Sequence, residues 1–213
     1  MFVKLLAQQL RRPSGLIGKY VSLWMNRSNV AINQTALELV VKTNRGRFLE
    51  IGFGGGALLN MAVACGSFPK VSGVDASLDM VKLVRRNLQT FIRQGKLEVQ
   101  YGDITDLPFA SSAFDAVVSL NTIYFWPSLK TGVSECIRIL SNDGILVLGF
   151  DDKAEMSKWP GHRYRFTMND DDEVRAVLDS IGFFKIEVVS GKTKTWGLFH
   201  CIHARKKSNF LYR

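Results

Sequence analysis

Histidine, cysteine and proline are all scarce in this 213-residue chain, with three, three and five residues. The cysteines, Cys65, Cys136 and Cys201, are odd in number and far apart. That excludes a disulfide framework and a zinc site built from close ligand pairs. His200, Cys201 and His203 stand close together, but on a strand the two histidines face opposite sides and do not easily share a metal, so none is expected. No apolar stretch reaches the roughly 18 residues that a spanning helix needs. The opening MFVKLLAQQLRR lacks the unbroken apolar core and small-residue cleavage site of a secretion signal, so a cytoplasmic location is expected. Linkers, low-complexity tracts and internal repeats are missing too. So is any arginine-rich run with interleaved aromatics, which disfavours nucleic acid as a partner.

What remains is a chain with 46% hydrophobic residues, enough to bury one core. Its net charge of +9 is unevenly spread: residues 1–47 carry eight basic side chains and one acid, and residues 185–213 carry seven and one. The body between them, with 13 basic and 17 acidic residues, is mildly acidic. Basic ends of this kind suit an anionic substrate, a membrane surface contacted peripherally, or a solubilised exterior.

After a basic N-terminal region, the apolar spacing of VAINQTALELVVKT predicts a helix over 30–43. RFLEI reads as the first strand, followed by a helix from about Gly56 to Ala64, and KVSGVDAS gives a second strand ending at Asp75. Ser77 caps a long helix through SLDMVKLVRRNLQTFIRQG, closed by Gly95. LEVQYGD and FDAVVSL are the third and fourth strands, a helix lies near 129–139, and GILVLGF is a fifth strand after the turn signal Asn142-Asp143-Gly144. Thr167 and Asp170 have capping-box spacing at the head of another helix, and FKIEVVS and TWGLFHCIHA end the chain as strands. The expected fold is α/β: a doubly wound, Rossmann-like sheet of seven strands, mostly parallel with an antiparallel terminal strand, and helices on both faces.

The stretch FLEIGFGGGALL, residues 48–59, is a strand, a glycine turn and the start of a helix. A side chain at Gly52 or Gly54 would fill ligand space, and the following helix aims free N–H groups at the crevice. Gly52, Gly54 and Ala57 also satisfy the loose dinucleotide pattern, and Asp75 sits where a ribose-binding acid is expected, so the turn alone admits either a dinucleotide or S-adenosylmethionine. Glu50 shifts the balance: a carboxylate there repels a pyrophosphate and attracts an amino-acid ammonium. Asp103, after Gly102, adds an acceptor for an adenine amino group.

Five segments in order, LEIGFGGG, GVDAS, GDITDLPF, FDAVVSLNTIYFW and LSNDGILVLGF, resemble the motifs of class I S-adenosylmethionine-dependent methyltransferases, in the broad group that includes ubiquinone and menaquinone biosynthesis methyltransferases. The resemblance runs from about residue 30 to the end. It implies that Glu50 meets the methionine ammonium, that Gly52, Gly54 and Gly56 line the cofactor, and that Asp75 binds the ribose with Ala76 and Met80 near the adenosine. It further implies Asp103 and Ile104 at the adenine and Asn121 to Phe125 beside the transferred methyl, with S-adenosylhomocysteine as product. Tyr124, Phe125 and Trp126 offer a flat wall to an aromatic or lipid-like acceptor, and the region 151–166 contributes His162 as a candidate base beside Tyr124. Arg163, Tyr164 and Arg165 are candidate contacts to an anionic acceptor. Residues 1–29 form a basic amphipathic segment that in this family covers the pocket, with Tyr20 and Trp24 as lid residues, and residues 30–213 form the methyltransferase domain. A small-molecule acceptor is the expectation; a nucleic-acid or protein methyltransferase, a nicotinamide oxidoreductase and an inactive cofactor-binding interaction protein are the competing readings.

Overall fold

A computed structural model of the chain describes residues 2–43 and 46–208. Its strands are β1 (Phe48–Ile51), β2 (Val71–Asp75), β3 (Leu97–Tyr101), β4 (Phe114–Leu120), β5 (Leu140–Asp151), β6 (Phe183–Thr193) and β7 (Gly197–Lys206). Its helices are α1 (Phe2–Arg11), α2 (Gly15–Ser28), α3 (Val30–Thr43), α4 (Ala57–Ala64), α5 (Leu78–Asn87), α6 (Gln89–Arg93), α7 (Leu129–Ile139), α8 (Lys153–Ser157) and α9 (Asp171–Ile181).

The strands form one sheet in the order β3-β2-β1-β4-β5-β7-β6. Neighbours from β3 to β5 are parallel, while β7 runs antiparallel to both β5 and β6. The dinucleotide-binding order is 3-2-1-4-5-6; here an antiparallel strand is wedged before the sixth. The last strand is therefore the antiparallel one, as expected, but it lies one place in from the edge. β1 and β2 are buried along their whole length, as parallel strands covered on both faces must be. Ile32, Val40, Leu59 and Val84 from α3, α4 and α5 fill one face, and Val133, Ile137, Val174 and Leu178 from α7 and α9 fill the other.

Several local expectations are corrected. The long helix after Ser77 breaks at Leu88, whose φ of −111° and ψ of 23° turn the chain into α6, where Phe91 and Ile92 pack on the core. The capping box at α9 pairs Asp170 with Glu173 rather than Thr167 with Asp170, so a glutamate does hold the third helical position. The turn signal Asn142-Asp143-Gly144 lies inside β5 as a bulge. The register against β4 skips from Phe114↔Leu140 to Ala116↔Ile145, and Asp143 takes a φ of 58°. The crossover after β5 is not bare loop, because α8 and a 3₁₀ turn at Pro160–Arg163 occupy it. At the C-terminal strand, His200 lies between Asp152 and Asp171, each 3.3 Å away, whereas His203 faces Glu187 at 3.6 Å.

The register fixes what meets at the carboxyl edge. Ile51 pairs with Val74 on one side and Ser119 on the other, so the residues that follow, Gly52, Asp75 and Asn121, converge. At the opposite end of the sheet, Lys206 is buried and its Nζ donates to the carbonyls of Ile137 (2.9 Å) and Leu140 (2.6 Å), satisfying the end of α7. Lys206→Met leaves those acceptors without their donor and is expected to cost about 1–3 kcal/mol in urea unfolding; a loss below about 0.5 kcal/mol contradicts this role.

Candidate active site

A cavity of about 660 Å³ opens at the carboxyl edge of β1, β2 and β4, within the range of small-molecule sites. Its floor is the sheet edge, with Glu50, Gly52, Gly54, Asp75, Ala76, Asp103, Ile104, Asn121, Phe125 and Trp126 on its wall. Its other side is built by α1, α2 and the turn between them, including Gln8, Arg12, Ser22, Met25, Asn26 and Asn29. That turn is tied down by the Ser77 hydroxyl, which donates to the Pro13 carbonyl (2.6 Å), and by the Gly15 N–H, which donates to Asp79 (2.9 Å).

Glu50 is the electrostatic anomaly of the site. It sits on β1 with 5% of its surface exposed, and its Oε2 is buried with no hydrogen-bond partner. Burial, then the charge of Asp75, push its carboxyl up to about 8 against a hydrogen bond from the Leu59 N–H. Asp75 accepts from the N–H of Gly54 (2.8 Å) and of Ser77 (2.7 Å). Burial raises this carboxyl as well, and those two bonds and the Arg12 charge oppose the rise. A second buried carboxylate, Asp151, also has an orphaned oxygen and is raised to about 7 by burial, but it does not line the cavity.

The glycines divide by purpose. Gly52 (φ 75°) and Gly54 (φ 49°) both hold left-handed backbone that L side chains avoid. A Cβ on Gly52 would lie 2.4 Å from Thr122 Cγ2, so the loop after β4 excludes it, and not ligand space as expected. A Cβ on Gly54 meets nothing within 4 Å. Gly56 lies off this cavity, because its missing side chain makes room for Val84 on α5, 2.8 Å from a built Cβ.

At the adenine-side expectation, Asp103 spends Oδ1 on the N–H and hydroxyl of Thr105 (3.0 and 2.9 Å) in an Asx turn. Asn121, at φ 54°, accepts from the Tyr124 hydroxyl (3.2 Å) and donates to Asn29 at the end of α2 (3.4 Å). This contact joins the N-terminal helices to the loop after β4.

Five further side chains named from the sequence stand elsewhere. Met80 is 1% exposed and belongs to the core beneath α5. Tyr124 is buried; its hydroxyl accepts from the Asp151 N–H, and burial with the Asp151 charge raises it well above the ordinary tyrosine value. It ties β4 to β5 and does not line the cavity. His162 is held by the Trp159 carbonyl at Nδ1 (2.5 Å), off the cavity wall. Tyr20 and Tyr164 are solvent-facing. Arg165, at φ 64°, does reach the wall. Sequence reasoning missed Arg12 and the asparagines Asn26, Asn29 and Asn33, which stand three and four residues apart across the junction of α2 and α3. The ionisable side chains on the wall are Arg11, Arg12, Arg165, Glu50, Asp75 and Asp103; among the described residues no histidine, lysine, cysteine or tyrosine lines it.

Residues 49–148 match the profile of the family described as "Methyltransferase domain". The chain is 32% identical over 89 residues to the demethylmenaquinone methyltransferase of Desulfitobacterium hafniense (strain Y51), covering 42% of this chain and 35% of that one. It is 30% identical over 159 residues to the malonyl-[acyl-carrier protein] O-methyltransferase of Geobacter sulfurreducens, covering 67% and 57%. The matches thus span about a third and somewhat over half of those two curated relatives' lengths. Among solved structures, a geranyl diphosphate methyltransferase in complex with S-adenosylmethionine superposes with a TM-score of 0.71 at 15% identity, over 93% of this chain and 94% of that one. An antiparallel strand wedged into a doubly wound sheet, and a family match that begins in its first strand and ends in its fifth, carry one conclusion: the chain belongs to the class I S-adenosylmethionine-dependent methyltransferases.

Proposed function

We propose that the chain transfers a methyl group from S-adenosylmethionine to a small-molecule acceptor by in-line displacement at sulfur, releasing S-adenosylhomocysteine. The observation that supports this best is the orphaned Glu50 oxygen on the cavity wall. A buried carboxylate without a partner is costly, and a ligand with a cationic amino group removes that cost. A pyrophosphate in the same place would add to it.

When bound, S-adenosylmethionine supplies a methyl group on cationic sulfur that needs no further activation. Glu50 then holds the ammonium in its ionised form, giving up its proton to solvent. Asp75 receives the ribose hydroxyls as charge-assisted hydrogen bonds, and the free oxygen of Asp103 receives the adenine amino group. The N-terminal helices act as a cover that excludes water and holds the acceptor in line. Among the described residues the wall carries no uncommitted base, which favours a nucleophile that needs none: an amine, an enolate or an acid that ionises by itself. Arg165 suits an acceptor bearing an anionic group, and Phe125 and Trp126 suit an apolar or aromatic body.

Glu50→Gln separates stability from binding. Glu50 holds its proton more tightly folded than unfolded, so its contribution is fully present below the ordinary carboxylate pKa of 4.5 and is lost as pH rises towards 8. The variant is therefore expected to match the parent in melting temperature near pH 4.5 and to exceed it increasingly up to pH 8, while S-adenosylmethionine affinity at pH 8 falls at least about tenfold. A variant that binds as tightly as the parent refutes the ammonium role. In calorimetry, the parent should bind S-adenosylmethionine and not NAD, and Asp75→Ala should weaken binding by roughly 10- to 100-fold; NAD binding without S-adenosylmethionine binding overturns the assignment.

A further inference from the structure

The two N-terminal helices present opposite chemistries on their two sides. The inner side of α2 gives Ser22, Met25 and Asn26 to the cavity wall, with Gly18 buried behind them. Its outer side carries Leu16, Ile17, Tyr20, Leu23 and Trp24, whose spacing places them on one helical face. Leu16 is 76% exposed, Tyr20 70% and Ile17 52%, far beyond the scattered apolar residues of an ordinary surface. Trp24 is the partial exception, since its ring also packs edge-on against Trp196.

Charge says what covers this face. Lys19 borders the stripe and Arg27 continues it at the end of the same helix, and Lys4 comes from α1, whereas Arg11 and Arg12 stand on the cavity wall. Residues 1–28 contain no acidic side chain at all. Two copies of so cationic a face would repel one another. An apolar stripe with an aromatic pair and long basic side chains at its border has the composition of a helix that lies in the headgroup layer, its lysines and arginines reaching outward to lipid phosphates.

We propose that the outer face of α2 docks the protein on an anionic phospholipid bilayer. The helix lies flat, with Leu16, Ile17, Tyr20 and Leu23 in the interfacial layer and Lys19 and Arg27 among the headgroups. No helix of the described residues is long and apolar enough to cross the membrane, so the attachment is peripheral. Because the inner side of the same helix forms the cavity wall, docking leaves α2 between the bilayer and the cavity. This proposal stands independently of methyl transfer.

The test is flotation of the full chain with vesicles of phosphatidylcholine alone and of an equimolar mixture with phosphatidylglycerol, at about 50 and about 500 mM salt. The expected result is binding to the anionic vesicles at low salt, reduced at least about tenfold on neutral vesicles or at high salt. The double variant Leu16→Asp, Ile17→Asp should lose at least about tenfold on anionic vesicles, and so should Lys19→Glu with Arg27→Glu. Both sets change exposed positions off the cavity wall, and unchanged melting temperatures and S-adenosylmethionine affinity report intact folding. Failure to float with anionic vesicles, or equal binding by parent and both variants, overturns the proposal. So does a dimer in light scattering that the aspartate variant converts to monomer, because the face is then an interface between copies.

Discussion

Glu50 lies on a central strand with parallel neighbours on both sides, and that placement denies its carboxylate both water and a counter-charge. One oxygen is left without a partner, and the nearest acid, Asp75, makes its ionisation harder still. Such a group costs stability, and, unlike the equally orphaned Asp151, Glu50 faces a cavity whose ligand can offset that cost. The remaining features of the cavity are arranged around this deficit. The backbone N–H groups of Gly54 and Ser77 hold Asp75 in place, and the Arg12 charge on the far wall favours its ionised form.

The N-terminal helices are part of this arrangement rather than an appendage to it. They supply more than a third of the cavity wall, and hydrogen bonds hold them there: Ser77 to Pro13, Gly15 to Asp79, Asn26 to Gly55 and Asn121 to Asn29 among them. These contacts reach residues beside proposed cofactor positions: Ser77 and Asp79 follow Asp75, Gly55 follows Gly54, and Asn121 follows β4. A ligand that reshapes the loops after β2 and β4 therefore acts on the helices that cover it, and a change at the helices acts back on the ligand.

Most of the sheet was legible in the residues because β1, β2, β4 and the stretch 145–150 of β5 are short apolar runs bounded by glycine or acid, and the strand ends fell where Asp75 and Gly52 placed them. The need for glycine at 52 and 54 was readable but the reason at Gly52 was not, because the neighbour that requires it, Thr122, comes from a loop 70 residues away in the chain. Tertiary packing decided what the pattern could not. Met80 and Tyr124 carry the right residue types in the right motifs, yet the core takes both side chains. His162 is a lone histidine between β5 and α9, but a local hydrogen bond to Trp159 holds it away from the wall. Asn26, Asn29 and Asn33 went unread because their helical spacing straddles the junction of α2 and α3, which marks no element until the fold is known. The break at Leu88 has no proline or glycine to announce it and follows from the need to lay Phe91 and Ile92 on the core.

The central claim is that free Glu50 is largely protonated near neutral pH and that an incoming ammonium ionises it. Calorimetric titration with S-adenosylmethionine at pH 6.5, in buffers of different ionisation enthalpy, counts the protons exchanged on binding. The parent protein should release about one proton per cofactor bound, and Glu50→Gln close to none. Binding by the parent with no proton release would contradict the account, because Glu50 would then already be ionised, or would not meet the ligand at all.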